Sequence, residues 1–406
     1  MKKPSFPPEP DERGHLADGI KTSPGAKTKK ILFVANSAAH LARYHRPMIR
    51  WFQTQGYEAH TAARGHSEMQ EVDTHHELPI QDKLLHPGNL PAYRILRHTI
   101  RREQYHLVHS HQFSAGTLAR IAAAPERKKG CVVLHTAHGL PFHRENRSLC
   151  RRLSKRLEQS LSRRTDAVLT MNRADGELLG EPDFFYGHRF SIHGMGYDGR
   201  RFHPLPPAAR GKLRKQLDLP ATAFVLINPT AYTKDQNQDL LIRTVEKLLP
   251  DCPNLFLLLL GSGNAQDHCR RLVRQRGLSD HIRVMGFSTQ LQLFLQASDL
   301  CVSSAREEGL PAHLLAAQAC GLPCVATAVR GHTDLLQDGK NGFLVPLGDL
   351  NAMSAAIKAL WQNPSLYRAC SANARTSVQP YSLPNVLKEH VQIYQSLLGT
   401  LRSRYS

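Results

Sequence analysis

Two groups of residues have the types and spacing to do chemistry. The first lies between Ser303 and Pro346, where Glu307, Glu308 and Gly309 precede Pro311 and an apolar run, Leu314 to Cys320. Pro311 suits the first turn of a helix, where its missing N–H costs nothing and its fixed φ fits. Gly321 suits the cap of that helix, and Pro323 its stop. A helix start beside a glycine presents free N–H groups and positive partial charge, a combination that holds phosphate. The same residues would also serve an ordinary turn with a solvated acidic loop, and the pattern alone leaves both readings open. The second group is histidines. His40 and His45 follow one apolar run, while His109, His111 and His138 fall at the ends of others. Open α/β sheets bind ligands outside the carboxyl ends of their strands. His109 and His111 share a spacing with metal ligands, but strand alternation produces it unaided. No carboxylate or cysteine set accompanies them, and the 23 histidines are spread along the chain, so no metal site is read here.

The elements that must position these groups alternate in type. Residues 1–29 are polar, rich in Pro and Lys, and without periodicity, as expected of a disordered leader. Lys30 to Asn36 is a continuous apolar strand of the buried parallel kind. A loop, Ser37 to His40, a helix to Gly56 and a strand from Tyr57 follow. Further strands are expected at His106–His109, Cys131–His135, Asp166–Met171 and Phe190–His193, with a helix over Leu90–Arg102. Arg147 to Arg164 predicts a basic helix with leucines every fourth residue from Leu149 to Leu161. Residues 204–211 read as a linker. A second strand–helix series then runs from Phe224 to Gln362, and the helix Leu383–Leu401 closes the chain. The pattern predicts an α/β protein of two Rossmann-like, doubly wound domains facing a cleft. Their bounds are 30–205 and 212–380, with a C-terminal helix at 381–406 able to pack back on the first domain.

Composition narrows the class. A chain of 406 residues, 41% hydrophobic and 21% charged, is globular and long enough for two cores. No apolar run can span a bilayer, and the N-terminus has no apolar signal core. Eight scattered cysteines without a CxxC pair suit a reduced, cytoplasmic protein. The net charge of +19 calls for an anionic partner. Nucleic acid ranks last, since no zinc-finger, ribonucleoprotein or helix-turn-helix signature occurs. The arginines at 94, 97, 101 and 102, and those around the leucine helix, suit an anionic membrane surface.

The second half resembles the donor-binding domain of the family-four retaining glycosyltransferases, which have the two-domain GT-B fold. The residues that carry this are Gly261-Ser-Gly263, Val284 to Phe287, Ala297-Ser-Asp299, Glu308 to Pro311, Ala319 to Pro323, Arg330 to Asp334 and Asn341 to Val345. In the first half, Ile31 to Glu58, His109 to Arg120, His135 to His143 and Ile192 to Phe202 are similar to members that build bacterial exopolysaccharide, capsule or lipopolysaccharide. The resemblance implies a nucleotide-sugar donor, usually a UDP-sugar, held by the second domain. It implies a lipid-linked or saccharide acceptor at the first domain, and no metal or other cofactor; the basic first domain adds the expectation of a cytoplasmic protein peripheral to the inner face of the cytoplasmic membrane. Carried over residue by residue, it puts Glu308 and His138 in catalytic places. Gly261, Gly263, Gly286, Gly309, Leu310 and Pro311 take donor places, with Lys234 as a stand-in two residues from the family's lysine; His40, His109 and His111, by their place at the strand ends, are expected on the acceptor side of the cleft.

Two departures stand out. The family's second glutamate, eight residues after Glu308, is Ala316; it holds the ribose hydroxyls, and Gln318 faces another side of the helix. The lysine expected before Asn237-Gln238 is Gln236, with Lys234 two residues away, and Pro229 and Thr230 replace a glycine and a polar or basic residue. Each missing charged hydrogen bond costs on the order of 1.5–3 kcal/mol. An active transferase with altered donor contacts is therefore set against a catalytically degenerate partner or scaffold of the same fold. A GT-B sugar epimerase fits the Arg330–Asp334 stretch less well.

Overall fold

The computed structural model describes residues 29–66, 69–142 and 149–405. The leader expected at 1–29 lies outside these, except Lys29, which opens the first strand. Two parallel sheets organise the chain. The first holds β1 (Lys29–Ser37), β2 (Tyr57–Arg64), β3 (Thr74–Glu77), β4 (Leu107–His111), β5 (Val132–Ala137), β6 (Ala167–Thr170) and β7 (His188–Ser191), in the order β3-β2-β1-β4-β5-β6-β7. The second holds β8 (Phe224–Asn228), β9 (Leu255–Leu260), β10 (Ile282–Met285), β11 (Leu300–Ser303), β12 (Cys324–Thr327) and β13 (Gly342–Val345), in the order β10-β9-β8-β11-β12-β13. β4, β5 and β9 are buried along their whole length; β9 accordingly reads as an unbroken apolar run, whereas β4 and β5 start apolar and end in buried polar residues, His109 to His111 and His135-Thr136. Each sheet is covered by apolar layers on both faces.

Local chemistry moves several boundaries. The loop expected at Ser37 to His40 is instead a capped helix start. Ser37 accepts from the His40 N–H at 3.3 Å, and the helix Ala38–Tyr44 begins at once. At His45 the chain turns into a second short helix, Arg46–Thr54, with Pro47 in its first turn. Most of the expected linker is helical, since Pro207 opens the helix Pro207–Gln216. Helix Pro364–Ser377, which was not expected although Asn363 caps it and Pro364 opens it, follows Leu350–Gln362. The last helix, Leu383–Tyr405, packs Val386, Ile393, Tyr394 and Leu397 into the core of the first sheet.

The basic leucine helix, Leu149–Ser162, is anchored by charge as well as leucine; Arg147 and Ser148, where it was expected to start, lie outside the described residues. Its Glu158 is buried against Arg120 of the helix Phe113–Ala123. One carboxylate oxygen accepts from Arg120 Nη2 at 2.8 Å, and the other accepts from Nη1 and from the Tyr186 hydroxyl. Leu161 is buried, but Leu149 and Leu153 are 64% and 52% exposed, so the leucine stripe leaves the core over its first two turns. Removing one partner of a buried pair leaves the other charge uncompensated, at a cost of about 3–5 kcal/mol. Glu158→Ala is expected to lower unfolding free energy by that amount in urea melts. The double variant Arg120→Met, Glu158→Leu should recover most of it; equal losses in both would show that the charge is not what matters.

Candidate active site at the domain cleft

The loop after β11 carries the acidic pair. It is tied to the loop after β8. Ser304 Oγ donates to the carbonyls of Gln236 and Asn237 at 2.9 and 2.8 Å, and the Arg306 N–H donates to the Asp235 carbonyl at 2.7 Å. Glu308 Oε2 accepts from Gln236 Nε2 at 2.9 Å. Where a lysine was expected, a neutral amide therefore aims the carboxylate. Lys234 is exposed on the same loop, and Arg306 donates to Asn237 Oδ1 at 3.1 Å. Gly261 and Gly263 follow β9 and Gly286 follows β10, at the same carboxyl end of the sheet.

Across the cleft, backbone meets backbone. A Cβ on Gly309 would lie 2.5 Å from the His138 carbonyl oxygen, so no larger residue fits there. A Cβ on Gly331 would lie 1.8 Å from the Gly309 carbonyl oxygen, and its φ of +81° is one that only glycine adopts readily. The Leu310 side chain packs over Gly194, where a Cβ would come within 2.3 Å of Cδ2. Pro311 is buried and caps the helix Ala312–Ala319 from outside, one position earlier than expected.

Arg330 ties these pieces together. Its Nε donates to the Glu308 carbonyl at 3.0 Å. Its Nη1 donates to Asp175 Oδ1 at 2.5 Å and to the Leu140 carbonyl at 3.3 Å. Asp175 is fully buried and also accepts from Asn172 Nδ2 at 2.7 Å. Sequence reasoning singled out neither as a site residue. Arg330 stood in a quoted motif; Asp175 left only a capping pattern, since Asn172 caps the helix Arg173–Leu179.

The histidines gather at the end of the first sheet. His40 and His138 are half-buried, with ring centroids 4.8 Å apart. Burial pushes the His138 ring down to about 3 and the His40 ring to about 4, so both are neutral at physiological pH. His111 is fully buried, with Nδ1 3.5 Å from His138 Nε2. His109 does not line the cleft. It is fully buried, between the Tyr394 hydroxyl at 3.0 Å and Thr136 Oγ1 at 2.8 Å. The reason is that β4 runs two residues further than expected and the last helix covers it.

On the donor side, Ala316 is buried among apolar residues, as the departure implies. Gln318 is fully buried and accepts from Asn341 Nδ2 and Ser377 Oγ at 3.0 and 2.9 Å, which keeps it from substituting for a glutamate at 316.

Two doubly wound sheets meeting at such a cleft define the GT-B class. Comparison with known proteins agrees. The family model described as Glycosyl transferase 4-like domain matches residues 41–196, and that described as Glycosyl transferases group 1 matches residues 209–377. EpsD of Bacillus subtilis (strain 168), named as a glycosyltransferase, is 33% identical over 374 residues, covering 91% of this chain and 97% of that protein. An Escherichia coli UDP-Gal:alpha-D-GlcNAc-diphosphoundecaprenol alpha-1,3-galactosyltransferase is 25% identical, covering 69% of this chain and 72% of its own. Among solved structures, Anabaena Alr3699/HepE in complex with UDP superposes with a TM-score of 0.74 at 19% identity, over 90% of this chain and all of that one. Sucrose-phosphate synthase from Thermosynechococcus elongatus does so with a TM-score of 0.77 at 19% identity, over 92% of this chain and all of that one. The chain belongs to the family-four glycosyltransferases of the GT-B fold.

The buried imidazoles have a consequence for stability. Burial holds His135 well below the usual histidine range and pushes His313 and His332 down to about 4. For His332 the main cause is burial, with the neighbouring His313 adding to it. Unfolding restores the ordinary value near 6.5, so at lower pH the unfolded chain binds more protons than the native one. The sign follows: stability is full above about pH 7 and falls as pH drops through 6.5, by up to about 1.4 kcal/mol per pH unit for each such ring. Melting temperature is expected to fall between pH 7 and pH 5, where ordinary carboxylates stay ionised. A flat profile there would mean that these rings titrate freely in the native state.

Proposed function

We propose that the protein is a retaining glycosyltransferase. It moves a sugar from a nucleotide-diphosphate sugar, a UDP-sugar, to a lipid-linked saccharide in the synthesis of a cell-surface polysaccharide. One observation carries this reading: the Glu308–Gly309 loop of the second domain lies against His138 of the first, beside the start of the helix Ala312–Ala319, which no side chain caps. Two comparisons support the choice of donor and acceptor. The Escherichia coli relative is named for UDP-Gal and a diphosphoundecaprenol acceptor, and the Anabaena neighbour is described in complex with UDP.

In this reading the second domain holds the diphosphate at the helix start, where N–H groups and the helix dipole offset its charge. Glu308, aimed by Gln236, meets the sugar hydroxyls. The anomeric C–O bond to the diphosphate breaks, and the bond to the acceptor oxygen forms on the same face. The acceptor proton passes to the departing diphosphate oxygen. Neutral His138 faces the sugar as a hydrogen-bonding group. The protein's contribution is placement and charge stabilisation, and the reaction needs no metal. Lys234 and Arg306, on the two loops tied together at Asp235, supply positive charge in place of the missing lysine.

The decisive assay is transfer of labelled sugar from a panel of UDP-sugars to an undecaprenyl-diphosphate-linked saccharide, in the presence of a chelator. Turnover is expected with one donor, and Glu308→Ala should lower kcat/KM at least a hundredfold, about 2.7 kcal/mol. Ala316 and Gln236 favour the second reading, a degenerate partner of the same fold. No turnover with any donor, together with no thermal stabilisation by nucleotides, would decide for it.

We also propose that the first domain rests on an anionic membrane. Among the described residues no helix is long and apolar enough to cross one. The exposed Leu149 and Leu153 stand beside Arg152 and Arg156, and the exposed Leu90 and Ile95 beside Arg94 and Arg97. Both helices, Asn89–Glu103 and Leu149–Ser162, pack on the helix Phe113–Ala123, so they share one face of the sheet. Apolar side chains ringed by arginine suit insertion among anionic headgroups. The protein should sediment with phosphatidylglycerol vesicles at low salt and release as salt rises. Leu149→Ser with Leu153→Ser should weaken binding severalfold, whereas binding that ignores both salt and these leucines would rule this face out.

A further inference from the structure

The histidine cluster at the end of the first sheet contains more than sugar transfer uses. His40, His45 and His138 each offer one ring nitrogen, and these three atoms all lie within 4.8 Å of one another. His45 is fully buried, and neither of its ring nitrogens has a hydrogen-bond partner among the described residues. The same holds for Nε2 of His40 and for Nε2 of the fully buried His111. The His45 ring lies 3.7 Å from the His111 ring and 5.4 Å from the His40 ring, centroid to centroid. Buried polar atoms are normally paired, and several unpaired ones in one place call for a common explanation.

The chemistry of the set is specific. It offers nitrogen lone pairs and no carboxylate, so it does not suit magnesium or calcium, which take oxygen ligands. Imidazoles suit zinc, cobalt, nickel and copper. Other buried histidines nearby are satisfied by the protein itself: His109 by Tyr394 and Thr136, and His135 by Ser110. His313 and His390 each leave one ring nitrogen unpaired, but neither belongs to a set of three whose ligand atoms converge among the described residues. We propose that His40, His45 and His138 form a binding site for a divalent transition metal of the zinc or cobalt type. The rings must draw together to meet an ion at about 2.0–2.1 Å. His40 is half-buried in the first turn of the seven-residue helix Ala38–Tyr44, and it is the ring with room to move. Three imidazoles leave a fourth tetrahedral position for water or a solute oxygen.

Metal binding goes beyond the transfer reaction as proposed, which needs no metal, and does not depend on it. Only its consequence rests on the proposed function: an ion on His138 takes that ring away from the donor sugar and opposes transfer. The sequence hides this site because His40 and His45 are five residues apart and His138 is on another strand end.

The test reads binding and not turnover. Full-length protein without a histidine tag is stripped with chelator, then titrated with Co²⁺ by visible absorption and with Zn²⁺ by calorimetry. One ion per chain is expected, with an intense tetrahedral cobalt band that zinc displaces. His45→Phe keeps a ring in the core but removes a ligand; it should abolish the band and weaken zinc binding at least tenfold. His40→Ala should do the same and spares the core, so it serves if His45→Phe does not fold. His268→Ala, at an exposed site in the second domain, should change neither reading. No stoichiometric binding by the parent protein, or a band that persists in His40→Ala, overturns the proposal.

Discussion

The guanidinium of Arg330 is the interaction on which the cleft depends. It reaches from the second domain to the buried Asp175 carboxylate of the first, while its Nε fixes the Glu308 carbonyl. A charge as buried as that of Asp175 is tolerable only when paired and hydrogen-bonded. Asn172 and the Leu140 N–H supply further bonds to that carboxylate. The distance between the two sheets is thereby set at the same atoms that set the backbone of the acidic loop. One side chain therefore holds both the acidic loop and the contact between the two domains.

The glycines make that closure possible. Gly309 against His138, and Gly331 against Gly309, bring three backbone segments to distances that no side chain would allow. Such contact leaves no room for a side chain between the loop after β11, the loop after β5 and the loop after β12. It is also unforgiving, because a single added methyl at Gly331 would have to displace the carbonyl of Gly309. The loop therefore gains accuracy and loses tolerance to substitution.

Much of this was legible in the residues. Buried parallel strands announce themselves as apolar runs, and Leu255 to Leu260 is the clearest. Glu308, Gly309 and Pro311 mark a helix start by local rules alone. What was not legible depends on segments far apart in the chain. His109 was expected at the cleft, but its ring is taken up by Tyr394, 285 residues away. The leucine spacing of the basic helix does not tell which end is buried; Leu161 lies in the core beside the Arg120–Glu158 pair, and Leu149 and Leu153 do not. Asp175 gives no sign in sequence of a partner at 330, since ion pairs across a cleft leave no periodicity. Short-range rules also placed Ser37 to His40 in a loop, where a serine cap starts the helix early.

The chain crosses between the two domains twice, once after β7 and once before the last helix. These crossings are joined to each other: the Tyr197 N–H donates to the Tyr381 carbonyl at 3.0 Å, and the Leu383 N–H to the Tyr197 carbonyl at 2.9 Å. Two crossings pinned to each other bring both connections between the halves to one place, so that a change of angle between the halves would have to pass through a single seam. The contacts of Arg330 and Gly309 lie on the far side of the cleft from any such change, and are the first that it would break.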